Sequence, residues 1–94
     1  MLPLEVEFTP RFRRSARRLS PDQHKQVAVA ADMLREAFGK SHLHSGLGIR
    51  RLSEEVYEFR AGRDLRVVFE LYGSRAELVL IGNHDDVRKF MMNR

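Results

Sequence analysis

The sequence predicts an α+β domain in which an N-terminal helical hairpin backs a curved, mainly antiparallel sheet, with a short helix at the C-terminal end. Three observations carry this. Apolar residues alternate at Leu4, Val6 and Phe8, two helix starts follow closely at Thr9-Pro10 and Ser20-Pro21, and alternating segments run from Leu47 to Ile81. One strand, two helices and four successive strands fit a sheet with one face covered by helices. At 94 residues the chain is expected to fold as a single domain, 1–94, around a modest core.

The first strand puts Leu4, Val6 and Phe8 on one face and Glu5 and Glu7 on the other, the period-two signature of a half-buried strand. Thr9 suits a helix cap, and Pro10 suits the first helical position because no intrahelical partner awaits its missing N–H. This helix is expected to reach Leu19, turning Phe12, Ala16 and Leu19 to the core and Arg11, Arg14 and Arg18 to water, with Arg13 and Arg17 completing a basic patch. In Ser20-Pro21-Asp22-Gln23 the serine can accept from an orphan amide while the glutamine reaches back to the cap, and Asp22 adds negative charge where the helix dipole favours it. Val27, Ala30, Ala31, Leu34 and Phe38 then recur at helical spacing, and Gly39 suits the position just past a helix end. With almost no loop between them, the two helices should form a hairpin that buries Leu34 and Phe38.

Lys40 to Gly48 has turn composition and carries His42 and His44. That pair lacks a nearby acidic or cysteine ligand, so no metal is expected there, and no cofactor is called for elsewhere. His24 reads as a surface residue. The remaining strands are expected at Leu47 to Leu52, Val56 to Arg60, Asp64 to Tyr72 and Ala76 to Ile81, with turns at Gly62 and Gly73 and a short helix from Asp86.

Composition narrows the function classes. The net charge is +4 and lysine is scarce beside arginine, which favours planar, bidentate contacts to phosphate or carboxylate and suggests nucleic acid or an acidic protein as partner. There is no cysteine, hence no disulfide framework and no thiolate chemistry. The longest apolar run, Leu78 to Ile81, is far short of a membrane span, and no signal pattern opens the chain, so a cytoplasmic protein without membrane contact is expected.

Chemistry concentrates in the last forty residues. Tyr57 and Phe59 share a face with Leu65, Val67, Phe69 and Leu71, while Glu58, Arg60, Arg66, Val68 and Glu70 take the other. A three-residue loop, Ala61 to Arg63, keeps these faces aligned and sets Arg60 opposite Asp64 and Glu58 opposite Arg66. On a wet sheet face that second pair would be worth roughly a few tenths of a kcal/mol. His84 follows an apolar strand and Gly82, so it should sit at the sheet rim. An imidazole there can pass a proton, and neighbouring guanidiniums can stabilise a phosphate as its charge grows. Asn83-His84-Asp85-Asp86 reads equally well as a helix start.

The order and spacing of these segments resemble the RelE/ParE superfamily of toxins from bacterial type II toxin–antitoxin modules. The likeness runs through the strand and basic hairpin at the N-terminus, Val56-Tyr57-Glu58-Phe59-Arg60, Asp64-Leu65-Arg66-Val67-Val68-Phe69, and Ile81-Gly82-Asn83-His84-Asp85-Asp86-Val87-Arg88-Lys89-Phe90. The resemblance implies a toxin that enters the ribosome and cuts bound mRNA through the substrate's 2′-hydroxyl, without a metal, so inhibiting translation. It implies that Arg66 holds the scissile phosphate, that His84 is the general acid, and that Phe90 stacks on a base or positions the substrate. Arg60 would orient the RNA backbone, with Arg63, Arg88 and Lys89 as further RNA-binding residues, and Arg13, Arg14 and Arg17 would meet the antitoxin. The implied partners are a cognate antitoxin, the ribosome with mRNA, and operator DNA only through the antitoxin, since the sequence has no helix-turn-helix of its own.

Departures from the pattern leave alternatives. RelE carries lysines on the strand that here holds Val56 and Glu58, and neither is present. Glu58 is then the nearest candidate base, or simply the ion-pair partner of Arg66. His42, His44 and Asp64 are counterparts of the extra histidines and aspartate of YafQ-like enzymes. A gyrase-poisoning ParE-like toxin and a catalytically weak, antitoxin-binding homologue are the other readings.

Overall fold

The computed structural model describes residues 4–37 and 47–94. Phe38, Gly39, His42 and His44 lie outside the described residues. The elements run β1 (Glu5–Phe8), α1 (Pro10–Ala16), α2 (Pro21–Ala37), β2 (Arg50–Arg51), β3 (Val56–Arg60), β4 (Arg66–Tyr72), β5 (Arg75–Gly82) and α3 (His84–Met92). The strands form one open sheet in the order β1-β5-β4-β3-β2, with β1 parallel to β5 and every other pair antiparallel. The predicted α+β class and element order hold. No described helix is long and apolar enough to cross a membrane.

Both helix starts follow their local chemistry. Thr9 Oγ1 accepts the Phe12 amide at 3.1 Å. Ser20 Oγ accepts the Gln23 amide at 3.2 Å, and Gln23 Oε1 accepts the Ser20 amide at 2.9 Å. Helix α1 ends at Ala16, short of the expected Leu19, yet Ala16 and Leu19 still pack on the core. Phe12 from α1 and Val27, Ala30, Ala31 and Leu34 from α2 cover Phe59, Val67, Phe69, Ala76, Leu78 and Ile81 of the sheet.

Strand β5 is held from both sides. Beyond Phe8 its β1 neighbour ends, and α1 takes over the edge. Thr9 N and Oγ1 donate to Leu78 O at 3.1 and 2.8 Å, and Ser15 Oγ accepts the Ile81 amide at 3.1 Å. On its other side the pairing with β4 shifts between Val68 and Phe69, which lie opposite Leu80 and Leu78 respectively. Val79 is therefore the extra residue of a β-bulge. Gly73, at φ +62°, makes the two-residue turn that joins β4 to β5.

Four expectations are corrected. The strand expected at Leu47 to Leu52 shrinks to Arg50–Arg51, because Gly48 adopts φ +64° just before it and Leu52 already turns, its amide donating to Val56 O at 2.7 Å. Helix α3 begins two residues before Asp86, because Asn83 caps it: Asn83 Oδ1 accepts the Asp86 amide and Asp86 Oδ2 accepts the Asn83 amide, each at 2.9 Å. The β3–β4 register is slipped by two, with Arg60 opposite Arg66 and Glu58 opposite Val68. The connection closes on Ala61 N to Leu65 O at 2.9 Å and buries both side chains. An even slip leaves each residue on its expected face.

The fourth correction is the largest, since the face expected to be wet carries a second core. Helix α3 lays Val87 and Phe90 over Val56, Val68 and Val79, and Val56 and Val68 are fully buried. Burying each side chain of this size contributes about 1.5–3 kcal/mol. Ser15→Ala, which removes the acceptor of the Ile81 amide, is expected to lower the unfolding free energy by about 1 kcal/mol. Urea denaturation with an unchanged m-value measures it, and a wild-type midpoint would mean water replaces the hydroxyl.

Candidate active site

The strand ladder brings the arginine and the histidine together. Arg66 opens β4 and lies opposite Gly82, the last residue of β5. Two residues later His84 is the first residue of α3, exposed, and directly after the Asn83 cap. The approach of the chain here is close: a Cβ on Gly82 would meet Asp86 Cβ and Oδ2 at 2.6 Å, so glycine is required if Asp86 is to close the capping box. Between the two elements lies a polar cleft of about 440 Å³ with Arg63, Asp64 and Arg66 on one side and Asn83, His84 and Asp85 on the other.

Glu58 sits beneath this rim rather than in the cleft. It is 2% exposed. Its Oε2 accepts from Arg66 Nη1 at 2.9 Å and faces Arg50 Nη2 at 3.7 Å, with Arg50 directly opposite on β2. The other oxygen, Oε1, is buried without a hydrogen-bond partner. The ion-pair reading of Glu58 is thus the one the geometry supports. A carboxylate with one oxygen between two guanidiniums and the other buried has no access to a substrate hydroxyl, as a base must. Its effect is on Arg66: the carboxylate fixes the guanidinium from below while leaving it about a quarter exposed toward the cleft.

Other predicted residues separate. Arg63 lines the cleft with Arg66. Arg60 does not, since its side chain runs along Gly48 and borders an apolar hollow with Val29 and Met33 of α2. Phe90 is buried in the second core, with the Arg11 guanidinium 4.7 Å and the Arg94 guanidinium 5.6 Å from its ring centre, so it presents no free face to a base. Arg88 and Lys89 are exposed on α3, and Lys89 borders the neighbouring groove between α1 and α3. Arg13, Arg14 and Arg17 form an exposed row on α1, and Arg13 and Arg17 flank a hollow with His24. Arg50 was not an expected site residue, because its place opposite Glu58 depends on the pairing of β2 with β3 and not on a local motif. Asp85 stood in the motif that carries His84 but was read only as part of a helix start.

No family model matches the sequence, and no curated protein matches it. Solved structures do. A chain of the archaeal RelE–RelB complex from Pyrococcus horikoshii superposes with a TM-score of 0.69 at 12% identity, covering 87% of this chain and 96% of its own. A chain of the RelB–RelE complex from Methanococcus jannaschii gives 0.69 at 14%, covering 90% and 98%. YafQ from E. coli gives 0.67 at 11%, covering 89% and 97%. The chain has the RelE fold. On this RelE-like sheet, Arg66 and His84 stand on facing sides of a cleft, with a buried glutamate under the arginine.

Glu58→Leu is expected to change the unfolding free energy by no more than about 1 kcal/mol. The substitution removes the orphaned oxygen and extends the apolar face, and Arg66 can turn to water. Urea denaturation of the variant checks this, and a loss above about 3 kcal/mol would mean that the ion pair itself holds the sheet together.

Proposed function

We propose that the protein is the toxin of a type II toxin–antitoxin module and acts as a ribosome-dependent mRNA endoribonuclease. The observation that carries the reading is the shared cleft of Arg66 and His84. A phosphate held by Arg66, with Arg63 beside it, would have the charge of its transition state offset by guanidiniums. His84 would protonate the leaving 5′-oxygen as the substrate's 2′-hydroxyl attacks. The proton of that hydroxyl needs an acceptor, and the carboxylates that open on the cleft are Asp64 and Asp85. In this scheme the base falls to that pair, and Glu58 is a positioning residue for Arg66.

Chains of the RelE–RelB and DinJ–YafQ complexes share the fold, which supports a cognate antitoxin as partner here and favours the ribosomal target over gyrase. Operator DNA would then be reached only through that antitoxin. The exposed arginine row of α1 offers an acidic segment of it a docking surface. A second reading, a catalytically weak toxin that chiefly binds its antitoxin, draws support from β3, where a sealed Glu58 leaves no polar side chain reaching into the cleft.

Mapping mRNA 5′ ends in a translating extract tests the assignment. The wild type is expected to cut within codons on ribosomes. His84→Ala is expected to reduce cleavage about 10²–10⁴-fold, and Arg66→Ala about 10²–10³-fold, both with wild-type circular dichroism. Wild-type rates in both variants would remove these roles. Antitoxin binding with no cleavage by the wild type would select the second reading.

A further inference from the structure

Asp64 and Asn83 border the cleft and also border a second groove of about 400 Å³ between α1 and α3. The two depressions are therefore neighbours that share a wall. Arg11 and Arg18 come from the α1 side of the second groove and Lys89 from α3, while Leu65, Leu80 and Ile81 contribute apolar surface. Arg11, Arg18 and Lys89 are exposed.

We infer that this groove is a binding track for the sugar–phosphate backbone of single-stranded RNA, continuing the strand whose scissile phosphate sits at Arg66. The inference rests on the nuclease reading for where the strand begins, and on the groove itself for where it goes. Counted together, the two depressions carry five permanent cations, Arg11, Arg18, Lys89, Arg63 and Arg66, against three carboxylates, Asp64, Asp85 and Asp86. One carboxylate and one cation are already engaged, because Asp86 Oδ2 accepts the Asn83 amide and Arg66 Nη1 donates to Glu58 Oε2, each at 2.9 Å. The cations flank both depressions, and apolar surface lines the second. A basic groove with apolar surface for the bases suits a single strand without sequence readout. Arg11 is held in place by Phe90, its guanidinium 4.7 Å from the ring centre, so the buried phenylalanine serves the RNA indirectly by presenting an arginine. The α1 arginines thereby divide by position: Arg11 and Arg18 border the groove, whereas Arg13 and Arg17 border a different hollow.

The test is the salt dependence of binding to a short, labelled, single-stranded 2′-O-methyl oligonucleotide, which has no free 2′-hydroxyl and cannot be cut. Each phosphate contact on a single strand adds about 0.7 to the slope of log K against log salt. The triple variant Arg11→Gln, Arg18→Gln, Lys89→Gln is expected to lose about 2 from the wild-type slope. The charge-matched triple Arg13→Gln, Arg14→Gln, Arg17→Gln is expected to keep it. The double variant Arg18→Gln, Lys89→Gln spares the Arg11–Phe90 contact and should lose about 1.4, which guards against a folding defect in the triple. No binding by the wild type, a wild-type slope in the groove variants, or equal losses in both triples would overturn the track. A wild type that binds with the expected slopes but cuts no mRNA would keep the track and remove the nuclease reading. Cleavage with unchanged slopes would do the reverse.

Discussion

Val79 has no Cα partner on β4, and both hydrophobic cores depend on that one extra residue. A regular strand would send Leu78 and Leu80 to one face and Val79 and Ile81 to the other. With the bulge, Leu78 and Ile81 both join the core under α1 and α2, while Val79 and Leu80 both serve the core under α3. The same irregularity lies where α1 replaces β1 along the edge of β5, so Thr9 and Ser15 supply the hydrogen bonds that a neighbouring strand would have made. The strand then leaves this anchor at Gly82 and delivers His84 to the rim opposite Arg66. A flat, regular β5 would alter both the packing and the site.

The rim shows how burial changes the meaning of a charged residue. On a wet sheet Glu58 and Arg66 would be an ion pair of little consequence. Here Glu58 is buried from water, while Arg66 stays partly exposed and Arg50 more so. The carboxylate is committed to its guanidiniums, and these keep a surplus of positive charge facing outward. The arrangement removes Glu58 from the cleft and fixes the Arg66 guanidinium at its edge.

Much of this was legible in the sequence because it is written in local periods and caps. The alternation of β1, β3 and β4, the Thr9 and Ser20 helix starts, and the burial of Phe12, Val27 and Leu34 all follow from neighbours a few residues apart. The placement of Arg66 near His84 was legible too, since it needs only the hairpin order of the last three elements. What escaped depended on tertiary packing. The length of the β3–β4 turn was misjudged by two residues, which the face pattern cannot detect because an even slip preserves it. Phe90 entered the expected site through the resemblance, which implies a stacking aromatic there, but Val87 and Phe90 share an apolar stripe that Val56, Val68 and Val79 complete from distant strands. The bulge concealed itself in Leu78-Val79-Leu80-Ile81, a run of four apolar residues with no alternation to break.

The pairing of β1 with β5 joins the first strand to the last, as in Thr9 to Leu78, 69 residues apart. Local helix formation in α1 and α2 can be fast, but neither core is complete until β5 is present, and closure over such a distance is slow to find. During synthesis, the N-terminal helices leave the ribosome long before the strand that gives them a surface to cover. A nascent chain that has not released Leu78 to Ile81 has no second core, no capped α3 and no opposed Arg66 and His84. The folding order therefore makes the candidate site a late feature, formed only after β5 has joined the sheet and α3 has been capped.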